Sequence, residues 1–403
     1  MDKLVSLIIS GLPNGVRLSL VLFLIIINYG AEFLVKRAVL KVYHKTNSPE
    51  EAVNKLRIYN QYFLVVLQII TIVAMEFLVV KYSTRYGKAG RIVFMTVASF
   101  VFLMVINIGQ LLIINKTYQR IRGTTQSLFN QVRDLALTFL LFLGPAGLIG
   151  TMMLFADEIK VESDVVAGML TAAIPIGMMF LFNLILPFFY PKILKASALE
   201  DAGLRERLNQ LFAKAGIKPA QFYQWPTKEK KVANALVVGL VKPKVFIGDY
   251  YLENAEPGEI EATIAHEIGH LKHKHLFKRL LYLVGGIAEV VLVGSLLDWY
   301  EKATGKEINI YLGLAILLGP FLLYISLGLL QYYRSQEKKA DEFALEIGIK
   351  PEVMINALLK LGRLNHMVTK LKKLDERFQT HPSMARRIEQ IEKISGYKYE
   401  FKQ

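Results

Sequence analysis

His266 and His270 stand four residues apart, with Glu267 directly after the first. On an α-helix, residues i and i+4 share one face a single turn apart, so both imidazoles can reach one metal ion. A carboxylate beside the first ligand can take a proton from a metal-activated water. Zinc lowers the pKa of such a water toward about 7, so a modest carboxylate base suffices. The chemistry expected of His266-Glu267-Ile268-Gly269-His270 is therefore hydrolysis on zinc. The duller alternative is a pair of histidines on a polar helix face at a membrane edge.

Two histidines do not hold a catalytic zinc. A third protein ligand is required, leaving one position for water. His273 lies on nearly the same helix face, but about 10 Å along the axis from His266 at about 1.5 Å per residue, too far for one ion. Ten residues after His266, where some zinc peptidases place a third histidine, stands Leu276. Glu337 and Asp341 offer a second i, i+4 pair. Glu337 is expected to bind one Zn2+ per chain with His266 and His270. Asp341 is expected to accept the second N–H of a ligand histidine and so fix its tautomer. Ala340 between them is small, as close helix packing prefers. The alternative is an exposed acidic helix face. His273 and His275, beside Lys272 and Lys274, read as interfacial residues, and His44 and His366 carry no supporting pattern.

Something must position these groups, and much of the chain is built for a bilayer. Of 403 residues 53% are hydrophobic, mean hydropathy is +0.35, and the apolar residues fall in long runs. Seven runs are long enough to cross as helices: residues 18–35, 62–80, 92–114, 135–156, 165–190, 280–297 and 310–333. They divide the chain into residues 1–190 with five spans, a soluble catalytic segment 191–276, spans six and seven within 277–333, and a catalytic remainder 334–403. The polar groups Asn28, Glu32, Gln68, Glu76, Asn107, Gln110, Asn183 and Glu289 fall inside the spans. They are costly in lipid and should face the bundle interior, as helix–helix glue or lining a wet cavity.

The net charge of +15 reflects Lys and Arg in loops beside the spans, which argues for lipid headgroups and against nucleic acid as partner. With seven spans the two soluble segments share a side. The basic loops near 36–60 and 116–133 assign that side to the cytosol, although Lys81, Arg85, Lys88 and Arg91 fall opposite. The absence of cysteine excludes disulfides and thiolate zinc sites. In the soluble segment, residues 199–215 have helical spacing ending at Gly216. Residues 232–240 and 244–247 read as a β-hairpin, and 259–275 as a helix opened by Pro257 and Gly258. The fold class expected is mainly α: a seven-span polytopic bundle with a small α+β zincin catalytic domain.

Three motifs together, His266-Glu267-Ile268-Gly269-His270, Arg334 through Asp341, and His381-Pro382-Ser383 with Arg387, resemble the membrane peptidases that include the type I CAAX prenyl protease and HtpX. The resemblance runs from about 199 to 388. In layout, five spans before the zinc helix and two after look like the CAAX protease arm, which encloses a chamber in the bilayer. The Thr380-His381-Pro382-Ser383 stretch and the Lys/His-rich end of the zinc helix look closer to HtpX. The resemblance implies that Asn234 and Ala235 form a substrate-binding edge strand. An open edge can pair with an extended peptide; a plain hairpin strand is the alternative. It implies that His381 stabilises an oxyanion, the alternative being a plain helix N-terminal residue. It also implies that Arg334 and Arg387 pair with carboxylates of the catalytic domain.

The function expected is peptide-bond hydrolysis, with Glu267 as base, acting on membrane-associated or lipidated (CAAX-like) chains. An HtpX-like role on misfolded membrane proteins, a zinc-domain membrane sensor, and a transporter with a structural zinc domain are the alternatives. Three evident protein ligands favour an open, catalytic zinc over a closed structural one.

Overall fold

The computed structural model describes residues 13–83, 85–140, 164–218, 220–239, 242–371, 376, 379 and 381–400. It divides into two compact units, Met1–Ile174 and Pro175–Gln403.

The first unit is helical. α1 (Asn14–Thr46) ends at Asn47 in the left-handed region (φ 50°). α2 (Pro49–Ile58) starts on Ser48, whose hydroxyl accepts from the Glu51 N–H at 3.2 Å, with proline in the first turn where no N–H is needed. A π-helical turn, Tyr59–Leu64, leads into α3 (Val65–Ser83), and α4 (Lys88–Arg122) stops at Gly123 with φ 63°. Ala31, Val35 and Val39 of α1 pack on Ala52, Val53 and Leu56 of α2. Some of the polar residues within the spans join helices to one another. Asn28 Nδ2 donates to Thr71 Oγ1 at 2.9 Å and Gln68 Nε2 to Gln110 Oε1 at 2.8 Å, as expected where lipid offers no alternative partner.

The second unit holds the end of α5 (Asp164–Ile193) and a four-stranded sheet of order β1-β2-β4-β3. β1 is Ser197–Ala198, β2 Gln221–Trp225, β3 Ala235–Val238 and β4 Lys244–Gly248. β3 and β4 form the expected antiparallel pair, Ala235 opposite Ile247. β2 joins β4 in parallel, Phe222 opposite Val245, which leaves β3 at the edge. α6 (Ala202–Lys214) is capped by Asp201 and buries Leu204, Leu208, Leu211 and Phe212, one stripe at helical spacing. α7 (Asp249–Asn254) leads to α8 (Pro257–Lys272), which opens on a reciprocal cap between Glu256 and Glu259. α8 packs against β3 and α6, and against α11 (Leu330–Glu346) and α12 (Pro351–Leu364). Ile264, Ala265 and Ile268 of α8 join Phe343, Ala344, Ile355 and Leu358 in one core with the sheet. α13 (Met384–Ser395) adds Ile388 and Ile391.

The helix expected over 259–275 is in fact two. Lys274 has φ 53°, and α9 (His275–Thr304) starts immediately after it. After α10 (Ile310–Leu323), which contains Pro320, a second π-helical turn, Tyr324–Leu329, runs straight into α11.

Five helical stretches among the described residues are long and apolar enough to cross a membrane: Asn14–Thr46, Val93–Arg122, Ile176–Ile193, His275–Thr304 and Ala315–Glu346; Val65–Met75 is a shorter apolar helix. Five of the seven expected spans fall on the five long stretches, and a sixth, 62–80, on the shorter helix. Most of the remaining one, 135–156, lies outside the described residues.

Candidate metal centre

The two histidines of α8 and the carboxylate of α11 meet in the interior. Nε2 of His266 lies 3.3 Å from Glu337 Oε2, and Nε2 of His270 lies 3.3 Å from Glu337 Oε1. The two Nε2 atoms are 3.2 Å apart. One donor atom from each of the three residues lies within 4.8 Å of the others.

The meeting is possible because α8 and α11 touch backbone to backbone at Gly269 and Ala340, residues that carry almost no side chain. With Glu337 three residues before Ala340 and His266 three before Gly269, each polar group faces the other helix.

The outer nitrogens of the two histidines are held differently. His266 Nδ1 lies 2.8 Å from Asp341 Oδ1, so the ring donates there and turns its Nε2 toward Glu337. Asp341 has no exposed surface. Arg387 neutralises it in a two-pronged contact, Nε to Oδ2 at 2.9 Å and Nη2 to Oδ1 at 2.5 Å. His270 Nδ1 lies 2.7 Å from Nδ1 of His275. One of those rings must donate and the other accept. His275 is only 1% exposed, and its Nε2 is buried with no hydrogen-bond partner among the described residues. The interfacial reading of His275 is thus corrected. The turn at Lys274 folds the ring back onto His270.

Charges within the cluster follow from burial and neighbours. Burial and Arg387 push the His266 pKa down, but Asp341 and Glu337 outweigh them and raise it to about 9. Burial is the main cause that lowers His270 to about 4. For Glu337, burial pushes upward, yet the hydrogen-bonding histidines hold it well below the usual carboxylate range. Asp341 is also held low, by Arg387 and His266 against its burial. Burial raises Glu267 above the ordinary carboxylate value. This suits a group that must gain and lose a proton.

The donor set fits zinc. Two imidazoles and one carboxylate are a common catalytic zinc set. The Glu337 carboxylate is buried with an imidazole nitrogen 3.3 Å from each oxygen, and the two ring nitrogens face each other across 3.2 Å. A cation between these three groups would satisfy all of them.

The remaining predicted residues surround this cluster. Glu267 lines two cavities that also share His270, Glu337 and His381. One, of about 310 Å3, extends past Val237, Val238 and Gly239 to Asn183, Pro187 and Tyr190. The other, of about 130 Å3, runs past Asn234 and Ala235 to Met354, Ala357, Leu358 and Leu361. His381 is 63% exposed, with Nε2 3.5 Å from Glu337 Oε1. Arg334 Nη1 donates to the backbone oxygens of Gln379 at 3.0 Å and Glu376 at 3.4 Å, so it ties α11 to the segment before His381. Arg279, which drew no attention in the sequence, stacks on Tyr333 (4.2 Å), donates to Gln336 and lies 3.7 Å from Glu337.

A sheet with an open edge beside a helix bearing two histidines and a glutamate, completed by a carboxylate from a second helix, defines a metallopeptidase of the zincin class. The model of peptidase family M48 matches residues 198–395. Over 248 residues the chain is 30% identical to a protease HtpX homolog of Pyrococcus abyssi, covering 55% of this chain and 82% of the relative. It is 24% identical over 257 residues to CAAX prenyl protease 1 of Saccharomyces cerevisiae, 55% of this chain and 56% of that protein. The crystal structure of S. mikatae Ste24p superposes with a TM-score of 0.63 over 94% of this chain and 99% of that one, at 17% identity. That last likeness is one of fold. The chain belongs to peptidase family M48, and it is a membrane zinc metalloprotease.

Proposed function

We propose that His266, His270 and Glu337 hold one zinc ion per chain and that Glu267 is the acid–base group of an endopeptidase. The observation that carries this reading is the convergence of both Nε2 atoms on the buried Glu337 carboxylate. Zinc, when bound, supplies Lewis acidity toward a water and a peptide carbonyl. Glu267 takes a proton from the attacking water and delivers it to the leaving amine. His381 offers an N–H to the oxygen on which negative charge grows. Asp341 and Arg387 keep His266 in the tautomer that presents Nε2 inward. Arg334 holds the approach to His381. The peptide lies as an added strand along Asn234 and Ala235 at the free edge of β3.

The substrates inferred are membrane-associated or lipidated chains, with the catalytic unit facing the cytosol and seven spans in the bilayer. Support comes from the apolar helices that carry α9 and α11 and from the yeast relative, named for CAAX prenyl proteins. A broader action on misfolded membrane proteins is the alternative that the likeness to a protease HtpX homolog leaves open.

The test is zinc content and cleavage by detergent-purified protein, wild type against Glu267→Ala, on casein and on a farnesylated CAAX peptide. Zinc retained with cleavage lost supports the assignment, and the preferred substrate decides its breadth. Equal cleavage by both proteins removes Glu267 from the mechanism.

A further inference from the structure

The free edge of β3 has an end stop. The carbonyl of Asn234 accepts from the Gly248 N–H at 2.9 Å, so Asn234 faces β4. In an antiparallel ladder successive residues turn their N–H and C=O to opposite sides. Leu236 and Val238 therefore also face β4, while Ala233, Ala235 and Val237 turn outward, where a substrate strand would bond. At Ala233 the outward positions are taken. Asn365 Oδ1 accepts from the Ala233 N–H at 3.1 Å, and Asn365 Nδ2 donates to the Ala233 carbonyl at 2.7 Å.

A primary amide bonded in this way copies both hydrogen bonds of a neighbouring strand residue. It comes from 132 positions away, at the end of α12. Its own N–H is bonded to the Leu361 carbonyl at 3.1 Å, which fixes it to the helix end.

We propose that Asn365 is a specificity-determining residue that ends the added strand. Substrate backbone pairs with Ala235 and Val237, and Asn365 holds the place of the next paired residue. On that side of the cleaved bond the chain must therefore turn away or terminate. The substrates favoured are peptides cut close to a chain end. The apolar wall of the smaller catalytic cavity, Met354, Ala357, Leu358 and Leu361, takes an apolar side chain just before the stop. The inference rests on the reading that substrate adds to β3.

The test is a backbone scan of a cleaved peptide, N-methylated one residue at a time on both sides of the scissile bond. N-methylation removes a donor and obstructs pairing, so each paired position should lose about tenfold in kcat/KM. For the wild type the expected result is two sensitive positions two residues apart, and none two residues further toward Asn365. In Asn365→Ala that further position becomes sensitive, and peptides extended on that side gain in kcat/KM relative to short ones. A purely structural tie at Ala233 would change neither. A third sensitive position in the wild type overturns the stop while leaving strand addition intact. No sensitive position anywhere overturns strand addition and the stop with it. The wild-type scan decides even if Asn365→Ala fails to fold.

Discussion

A Cβ atom placed on Gly269 would fall 2.9 Å from the Cα of Ala340 and 3.1 Å from its carbonyl oxygen. Real Cβ atoms do not sit that close to a backbone. The spacing of the zinc helix from the helix of the third ligand is thus set by two residues that bind nothing. Gly269→Ala should lower stability by about 1–3 kcal/mol through overpacking. It should also weaken zinc retention, because Glu337 is pushed away from His266 and His270. Thermal unfolding and zinc content in detergent check this. A variant with the wild-type melting temperature and full zinc would show that the helices can shift without cost.

In the proposed mechanism Glu267 acts on the reacting water and does not bind the metal. Glu267→Gln should keep its zinc and lower kcat by about 10^2–10^4-fold, the range for removing a positioned acid–base group. Metal analysis beside single-turnover cleavage separates the two effects. Loss of zinc in this variant would move Glu267 from the chemistry to the binding of the metal.

His275 and Asp341 hold the two ligand histidines from behind, and each should matter for affinity. His275→Leu and Asp341→Leu should each weaken zinc binding by about 10–100-fold, as removal of such outer partners does elsewhere. Competition against a chelator measures it. His275→Gln, which can still accept from His270, should recover part of the loss. Equal affinities for His275→Leu and wild type would reduce His275 to packing.

Arg387 neutralises a carboxylate that has no exposure to water. Arg387→Met leaves that charge uncompensated and should cost about 3–5 kcal/mol. The double change Arg387→Met with Asp341→Leu should recover part of it, since no buried charge remains. A full double-mutant cycle by thermal unfolding gives the coupling. Strict additivity would contradict the pairing drawn from the distances.

Chelation should lower the melting temperature and readdition of zinc restore it, since a ligand that binds only the folded state stabilises by RT ln(1 + [L]/Kd). The shift should shrink in the His275 and Asp341 variants. A chelator-insensitive melting curve would place the metal outside the folding unit.

The parts of the site legible in the sequence are those whose partners lie on the same helix. His266 with His270, and Glu337 with Asp341, are readable because four residues make one turn. The β3–β4 pair is readable because its branched residues are consecutive. The parts that were not legible depend on backbone or on distance. Nothing in Lys272-His273-Lys274-His275 announces that Lys274 adopts φ 53° and turns His275 inward. Local charge there suggests an interface instead. Asn365 ends a helix whose pattern gives no hint of a strand 132 residues earlier. The parallel β2–β4 pairing likewise joins segments that share no local signal.

One helix of the site continues an apolar stretch and the other is joined to one by the turn at Lys274. Glu337 belongs to the 32-residue stretch Ala315–Glu346, and His270 leans on the first residue of His275–Thr304. At about 1.5 Å of rise per residue, the four residues from Tyr333 to Glu337 add only about 6 Å along the axis. With the span ending at Tyr333 as proposed, Glu337 would stand close above the lipid. A soluble chain at high bulk concentration gains little from this arrangement unless it is delivered to the surface. For the membrane-associated substrates proposed above, turnover would follow the number of substrate molecules per unit area of bilayer, and dilution into more lipid would slow the enzyme as dilution into more water slows a soluble one.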